Sequence, residues 1–197
     1  MPLDTVIALS VFTFVASVTP GPNTMMLLAS GVNFGFRRTV PHMAGILGGF
    51  AFLLLCVGFG LGALFELYPD IYLVLKFVGG AYLLYLAWRI AMTRKLASGK
   101  ADQVPMTAAA AAAFQWVNPK AWMMGVTAMS IYTSPEMPYV SVAIIVLAFI
   151  VTGVPSVSIW AGCGPALRSF LADPVKLKWF NIIMGALLAL STIPMML

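Results

Sequence analysis

The sequence predicts an all-α integral membrane protein with six transmembrane helices arranged as two inverted three-helix repeats. Composition is the first reason: 61% of the 197 residues are hydrophobic, 9% are charged and the mean hydropathy is +0.99, whereas a soluble domain carries about 25% charged residues. Length of apolar run is the second. Runs near 5–34, 40–64, 71–92, 106–132, 139–164 and 179–197 each reach the ~20 residues that cross a hydrocarbon core of ~30 Å. The third is a resemblance between the first three runs and the last three.

The first run opens on Met1-Pro2-Leu3-Asp4, which lacks the basic segment of a signal peptide, and the run is longer than a signal peptide's apolar stretch. It is therefore expected to stay in the mature protein. It is interrupted by Thr19-Pro20-Gly21-Pro22-Asn23. The second run follows Arg37, Arg38, Pro41 and His42 and carries Ala44, Gly45, Gly48 and Gly49, small residues spaced to let helices approach closely. Gly79 and Gly80 do the same for the third. The fourth holds six alanines at 108–113 and then Phe114-Gln115-Trp116-Val117-Asn118-Pro119-Lys120, a second interruption.

Charge fixes the expected orientation. Arg37 and Arg38 follow the first run, Arg89, Arg94, Lys95 and Lys100 the third, and Arg168, Lys176 and Lys178 the fifth. The intervening gaps carry Glu66, Asp70 and Glu136, with Lys76 just inside the third run. By the positive-inside rule the basic gaps are cytoplasmic and both termini lie outside. The net charge of +5 then reports topology and contact with lipid headgroups, not a nucleic-acid patch.

The third and sixth runs share an aromatic-flanked Lys followed by Gly-Ala and leucines, at 76–88 and 178–191. The first and fourth each place an Asn beside a Pro, and the second and fifth each hold one cysteine, Cys56 and Cys163. Because three is odd, the second half must enter the membrane from the opposite side, the inverted plan in which substrate sites form where interrupted helices meet. The expected units are 1–96, a cytoplasmic linker at 97–105, and 106–197.

The interruptions are where chemistry is expected. An interior proline removes a donor and frees the carbonyl four residues earlier, at about 3 kcal/mol. Pro20 and Pro22 would free the carbonyls of Ala16 and Val18, and Pro119 that of Gln115. At 1.5 Å per residue both breaks fall in the middle third of the bilayer, where irregular backbone is tolerated only if buried by protein or beside a wet cavity. A half-helix starting at Asn23 presents N–H groups to a carboxylate, and freed carbonyls suit an ammonium. Thr19, Asn23, Gln115 and Asn118 add neutral donors and acceptors. The bland alternative is a pair of proline kinks that only shape packing.

Lys120 stands near a helix centre, at a cost of ~2.5 to 3.5 kcal/mol on insertion scales, and such groups usually mark a pathway. Snorkelling to the headgroups is the rival reading, and it suits Lys76 and Lys178 better. His42, the lone histidine, is a proton-coupling candidate or an interfacial structural residue. No carboxylate falls within an apolar run, so the usual acidic proton carrier is missing and a small neutral substrate is expected.

Three stretches, 19–49, 79–89 and 114–128, resemble the LysE/RhtB family of bacterial amino-acid exporters, through "TPGPN", the Gly-Phe-Arg loop at 35–37, "GGAYLLYLAWR" and "FQWVNPK". The stretch around 114–133 is most similar to the cysteine/O-acetylserine exporter subgroup. The resemblance implies six helices, proton-motive-force-dependent efflux across the bacterial inner membrane and small amino acids as cargo. It carries over Pro20, Gly21, Pro22, Asn23, Asn118, Pro119 and Lys120 as site positions. Lysine exporters of the family carry an acid in the fifth helix, where this chain has Thr152-Gly153-Val154-Pro155, which argues against dibasic cargo. The expected partners are a small amino acid, protons and membrane lipids, with homodimerisation left open.

Two other classes compete. Cys56 and Cys163 could form a membrane thiol-disulfide relay, but "LLCVGF" lacks the polar surroundings that lower a thiol's pKa, although Gly164-Pro165 follows Cys163. A passive channel would need a ring of charges or a filter motif. Enzyme chemistry finds no glycine-rich nucleotide loop, metal-ligand cluster or nucleophile-base pair, and no cofactor is called for.

Overall fold

The computed structural model describes residues 1–61, 69–94 and 104–190. The greater part of the hydrophilic linker, with Glu66, Lys95, Lys100, Asp102 and the last residues of the sixth run, lies outside the described residues, as do the side chains of Asp70, Lys76 and Arg168. Among the described residues the fold is all helical: α1 (Leu3–Val18), α2 (Pro22–Phe34), α3 (Phe36–Cys56), α4 (Pro69–Met92), α5 (Ala108–Gln115), α6 (Pro119–Tyr132), α7 (Pro138–Arg168) and α8 (Pro174–Leu190).

Each boundary has a local cause. Pro22 and Pro119 open α2 and α6 at the first helical position, where a missing N–H costs nothing. Asn118 Oδ1 caps α6 by accepting from the Lys120 N–H at 3.2 Å, and Thr107 Oγ1 caps α5 from the Ala110 N–H at 3.2 Å, the usual use of short polar side chains at a helix start. Gly35, at φ 82°, is the whole connection between α2 and α3, a conformation open to glycine without steric cost. Asp173 caps α8 by accepting from the N–H groups of Val175 (2.8 Å) and Lys176 (3.2 Å), bonds that hold its carboxyl below the usual range.

The residues of α3 with the turn after it (Phe36–Gly60), and Pro138–Leu167 of α7, are long and apolar enough to cross a membrane. The pair α1 and α2, bent by 53° at the break, makes a third if it is one span. Several expected limits move. Arg37, Arg38, Pro41 and His42 belong to α3, which begins at Phe36, because Gly35 completes the turn and Arg37 and Arg38 take helical backbone readily. Lys176 and Lys178 lie in α8, which begins at Pro174, since Asp173 starts the helix ahead of the apolar run.

Helices touch where side chains are smallest. A Cβ on Gly31 of α2 would strike the carbonyl of Ala161 on α7, and one on Gly164 of α7 would strike the backbone of Gly31 and Val32. Gly45 and Gly49 of α3 lie as close to Ala108 and Ala112 of α5, and Gly185 of α8 to Ala87 and Ala91 of α4. Without a hydrophobic drive between helices in lipid, this closeness supplies the packing. One apolar cluster joins Leu9, Leu53, Leu54, Trp122, Val142, Ile145 and Phe149, and so ties α1, α3, α6 and α7 together.

Candidate functional site

At the first break α1 stops because Pro20 has no N–H and its ring excludes a continued helix. Thr19 is the last residue to donate, to the Val15 carbonyl at 3.0 Å, and its hydroxyl bonds the same carbonyl at 2.5 Å. Four consecutive carbonyls, those of Ala16 to Thr19, then lack helical partners, and the last three are each met by a side chain from the second half of the chain. Ser156 Oγ donates to the Ser17 carbonyl (2.8 Å), Trp160 Nε1 to that of Val18 (3.2 Å) and Lys120 Nζ to that of Thr19 (2.5 Å). Ser156 and Trp160 stand four apart on one face of α7, as neighbours on a helix must. The Gly21 N–H is also occupied, by Thr24 Oγ1 at 2.7 Å, and that hydroxyl donates to the Gly21 carbonyl at 2.9 Å.

The second break is a tight turn. Trp116, Val117 and Asn118 donate to the carbonyls three residues back, at 3.1, 3.1 and 3.3 Å, in 3₁₀ manner. The Gln115 carbonyl, which Pro119 leaves free of its helical partner, is thus taken by the Asn118 N–H. Trp122 Nε1 donates to the Trp116 carbonyl at 2.8 Å. Proline removes the helical bond, and other donors restore the pairing that a lipid setting demands.

The two breaks face each other. Asn23 Nδ2 donates to Gln115 Oε1 at 2.8 Å and Gln115 Nε2 donates to Asn23 Oδ1 at 3.2 Å, a reciprocal amide pair between residues 92 apart in sequence. Gln115 Nε2 also donates to the Ala111 carbonyl at 2.8 Å, and the side chain is fully buried. Lys120 passes over Gly21, where a Cβ would stand 2.8 Å from its Cδ and 3.2 Å from its Nζ. Around these groups lies a cavity of about 570 Å³ counting its open mouth. Gly21, Asn23, Thr24, Gln115, Asn118 and Lys120 line it from the breaks, while Leu47, Phe50, Met124 and Phe149 supply apolar wall. Phe50 and Phe149 meet edge to face at 5.1 Å.

Five of the expected residues therefore share one cavity: Gly21, Asn23, Gln115, Asn118 and Lys120. Thr19 joins through its backbone carbonyl, and Pro20, Pro22 and Pro119 shape the breaks. His42 does not belong to this wall. It sits on α3, 2% exposed, with neither ring nitrogen hydrogen-bonded among the described residues. Cys56 and Cys163 are both free thiols. Among the described residues no three of His, Cys, Asp and Glu gather to hold a metal. Sequence reasoning missed Ser17, Thr24, Ser156 and Trp160. The spacing of Ser156 and Trp160 beside Pro155 was visible, but nothing in it names the carbonyls they reach.

The LysE type translocator family model matches residues 14–196. The chain belongs to the LysE type translocator family. It is a membrane protein, as its apolar helices require. The chain is similar to the cysteine/O-acetylserine efflux proteins of Salmonella typhi and of Klebsiella pneumoniae subsp. pneumoniae. The first is 36% identical over 126 residues, 64% of each chain, and the second 36% over 124 residues, 63% of each chain. That of Escherichia coli O1:K1 / APEC is 35% identical over 126 residues, again 64% of each. The match thus spans less than two thirds of these relatives' own length. No solved structure matches this LysE type chain.

Proposed function

We propose that this protein exports a small neutral amino acid or close derivative, of the cysteine, O-acetylserine, homoserine or threonine kind, by alternating access around the two breaks. The observation that carries the reading is that both broken helices line one cavity, joined by the Asn23–Gln115 pair and by Lys120 reaching the Thr19 carbonyl. Amides, backbone groups and one ammonium, with no carboxylate among the described residues of the wall, bind a zwitterion without a site for a second positive charge. The site residues are Thr19, Pro20, Gly21, Pro22, Asn23, Gln115, Asn118, Pro119 and Lys120. The efflux proteins it resembles are named for cysteine and O-acetylserine.

The two halves, 1–96 and 106–197, form inverted repeats of three spans each, set in the bacterial inner membrane with both termini outside. Contacts between elements support this. The first span, as α1 and α2, packs on α7 of the fifth, the fourth, as α5, packs on α3 of the second, and α4 packs on α8. These are the pairings that a two-fold relation between the halves requires. His42 is the candidate for proton coupling, a buried titratable ring with no hydrogen-bond partner among the described residues.

Everted membrane vesicles test the reading. With an imposed proton gradient they should accumulate radiolabelled cysteine, O-acetylserine, threonine or homoserine, and His42→Gln should weaken the dependence on the gradient. Absence of transport for every amino acid tried overturns the proposal.

A further inference from the structure

Lys120 and the Thr19 carbonyl answer a question that the cavity alone does not: which end of the cargo goes where. The Thr19 carbonyl is the last of the three at the negative end of α1 that are met from the second half of the chain. Its two predecessors are held by neutral donors fixed on α7, Ser156 and Trp160. Only the third carbonyl is met by an ammonium on a long flexible stem, at 2.5 Å, and that stem lies across a residue with no side chain to obstruct it. Lys120 lines the cavity and holds the Thr19 carbonyl, while Gly21, two residues beyond Thr19, lies in the cavity wall.

We propose that Thr19 and Lys120, in contact with each other, are the two poles of the substrate site, the Thr19 carbonyl taking the cargo's ammonium and the Lys120 ammonium its carboxylate. This rests on the transport reading above. An acceptor and an ammonium in contact are the complement of a zwitterion, which can insert between them and leave both paired. A molecule with only an ammonium can take the carbonyl only by turning Lys120 out, with nothing to pair it in a medium where an unpaired charge is costly. A molecule with only a carboxylate would strip the Thr19 carbonyl of its donor, which lipid cannot replace. The contact between Lys120 and Thr19 therefore selects for both charges at once, and Gly21 is the positioning residue that lets Lys120 reach.

The full-length protein in proteoliposomes decides the matter with three thiols of matched skeleton: cysteine, cysteamine (no carboxylate) and 3-mercaptopropionate (no ammonium), kept reduced. Wild-type protein should prefer cysteine to either by at least about tenfold, the scale of one charge-assisted pair. Lys120→Met should lower cysteine transport at least about tenfold while cysteamine is unchanged or improved, so that the ratio collapses. Should Lys120→Met not fold, competition of cysteamine and 3-mercaptopropionate against cysteine in the wild type still decides. Wild-type protein that moves cysteamine as well as cysteine, or Lys120→Met with the wild-type ratio, overturns the assignment while leaving amino-acid export standing. Wild-type protein that moves no amino acid removes the transport reading itself.

Discussion

Gly21 has an extended backbone, φ −174°, which any residue adopts, so its lack of a side chain serves space and not conformation. A methyl group there would stand 2.8 Å from Lys120 Cδ, and the stem must move aside. Gly21→Ala should therefore leave stability within about 1 kcal/mol, since a flexible chain absorbs the clash, yet reduce transport at least tenfold in proteoliposome assays. At the amide pair, Asn23→Leu strands Gln115 and Gln115→Leu strands Asn23. Each single change should cost about 1 to 3 kcal/mol in thermal unfolding, because a buried amide is left unpaired. The double variant should recover part of that loss and still fail to transport, which a structural role alone does not predict.

Among the elements, the glycine crossings bring helix backbones into contact. Ala161, whose carbonyl Pro165 leaves without a helical partner, lies against Gly31 with no room for a Cβ between them. Gly31→Val should destabilise by about 1 to 3 kcal/mol through overpacking, read as a lowered melting temperature of the purified protein in detergent. Gly48, whose Cβ would meet nothing within 4 Å, is the control, and Gly48→Ala should be neutral or slightly stabilising because alanine is the better helix former. The contrast separates contact glycines from bystanders that the same small-residue pattern cannot distinguish.

Across the whole molecule, the proposed two-fold relation pairs α2 on α7 with α6 on α3, and these are unequally packed. The α2 and α7 backbones meet at Gly31 and Gly164, whereas Gly125 of α6 would bring a Cβ no nearer than 3.3 Å to Leu54 of α3. In the proposed orientation the Gly31–Gly164 crossing lies toward the cytoplasm. Topology can be checked directly. In a background lacking Cys56 and Cys163, an impermeant maleimide should label Glu136→Cys from outside intact cells and Arg37→Cys only in everted vesicles, both positions being exposed.

The sequence by itself determined the class, the apolar runs and both breaks, because proline's missing N–H and the hydropathy of a run are local properties that no fold can alter. It also named Asn23, Gln115, Asn118 and Lys120, since polar groups deep in an apolar run are conspicuous. Tertiary structure alone decided that residues 92 apart form one amide pair, that Ser156 and Trp160 satisfy the end of α1, and that His42 lies within the bundle, away from the cavity. A freed carbonyl is written in the chain, but its new donor is not, because hydrogen bonding across a break depends on which helix is packed beside it.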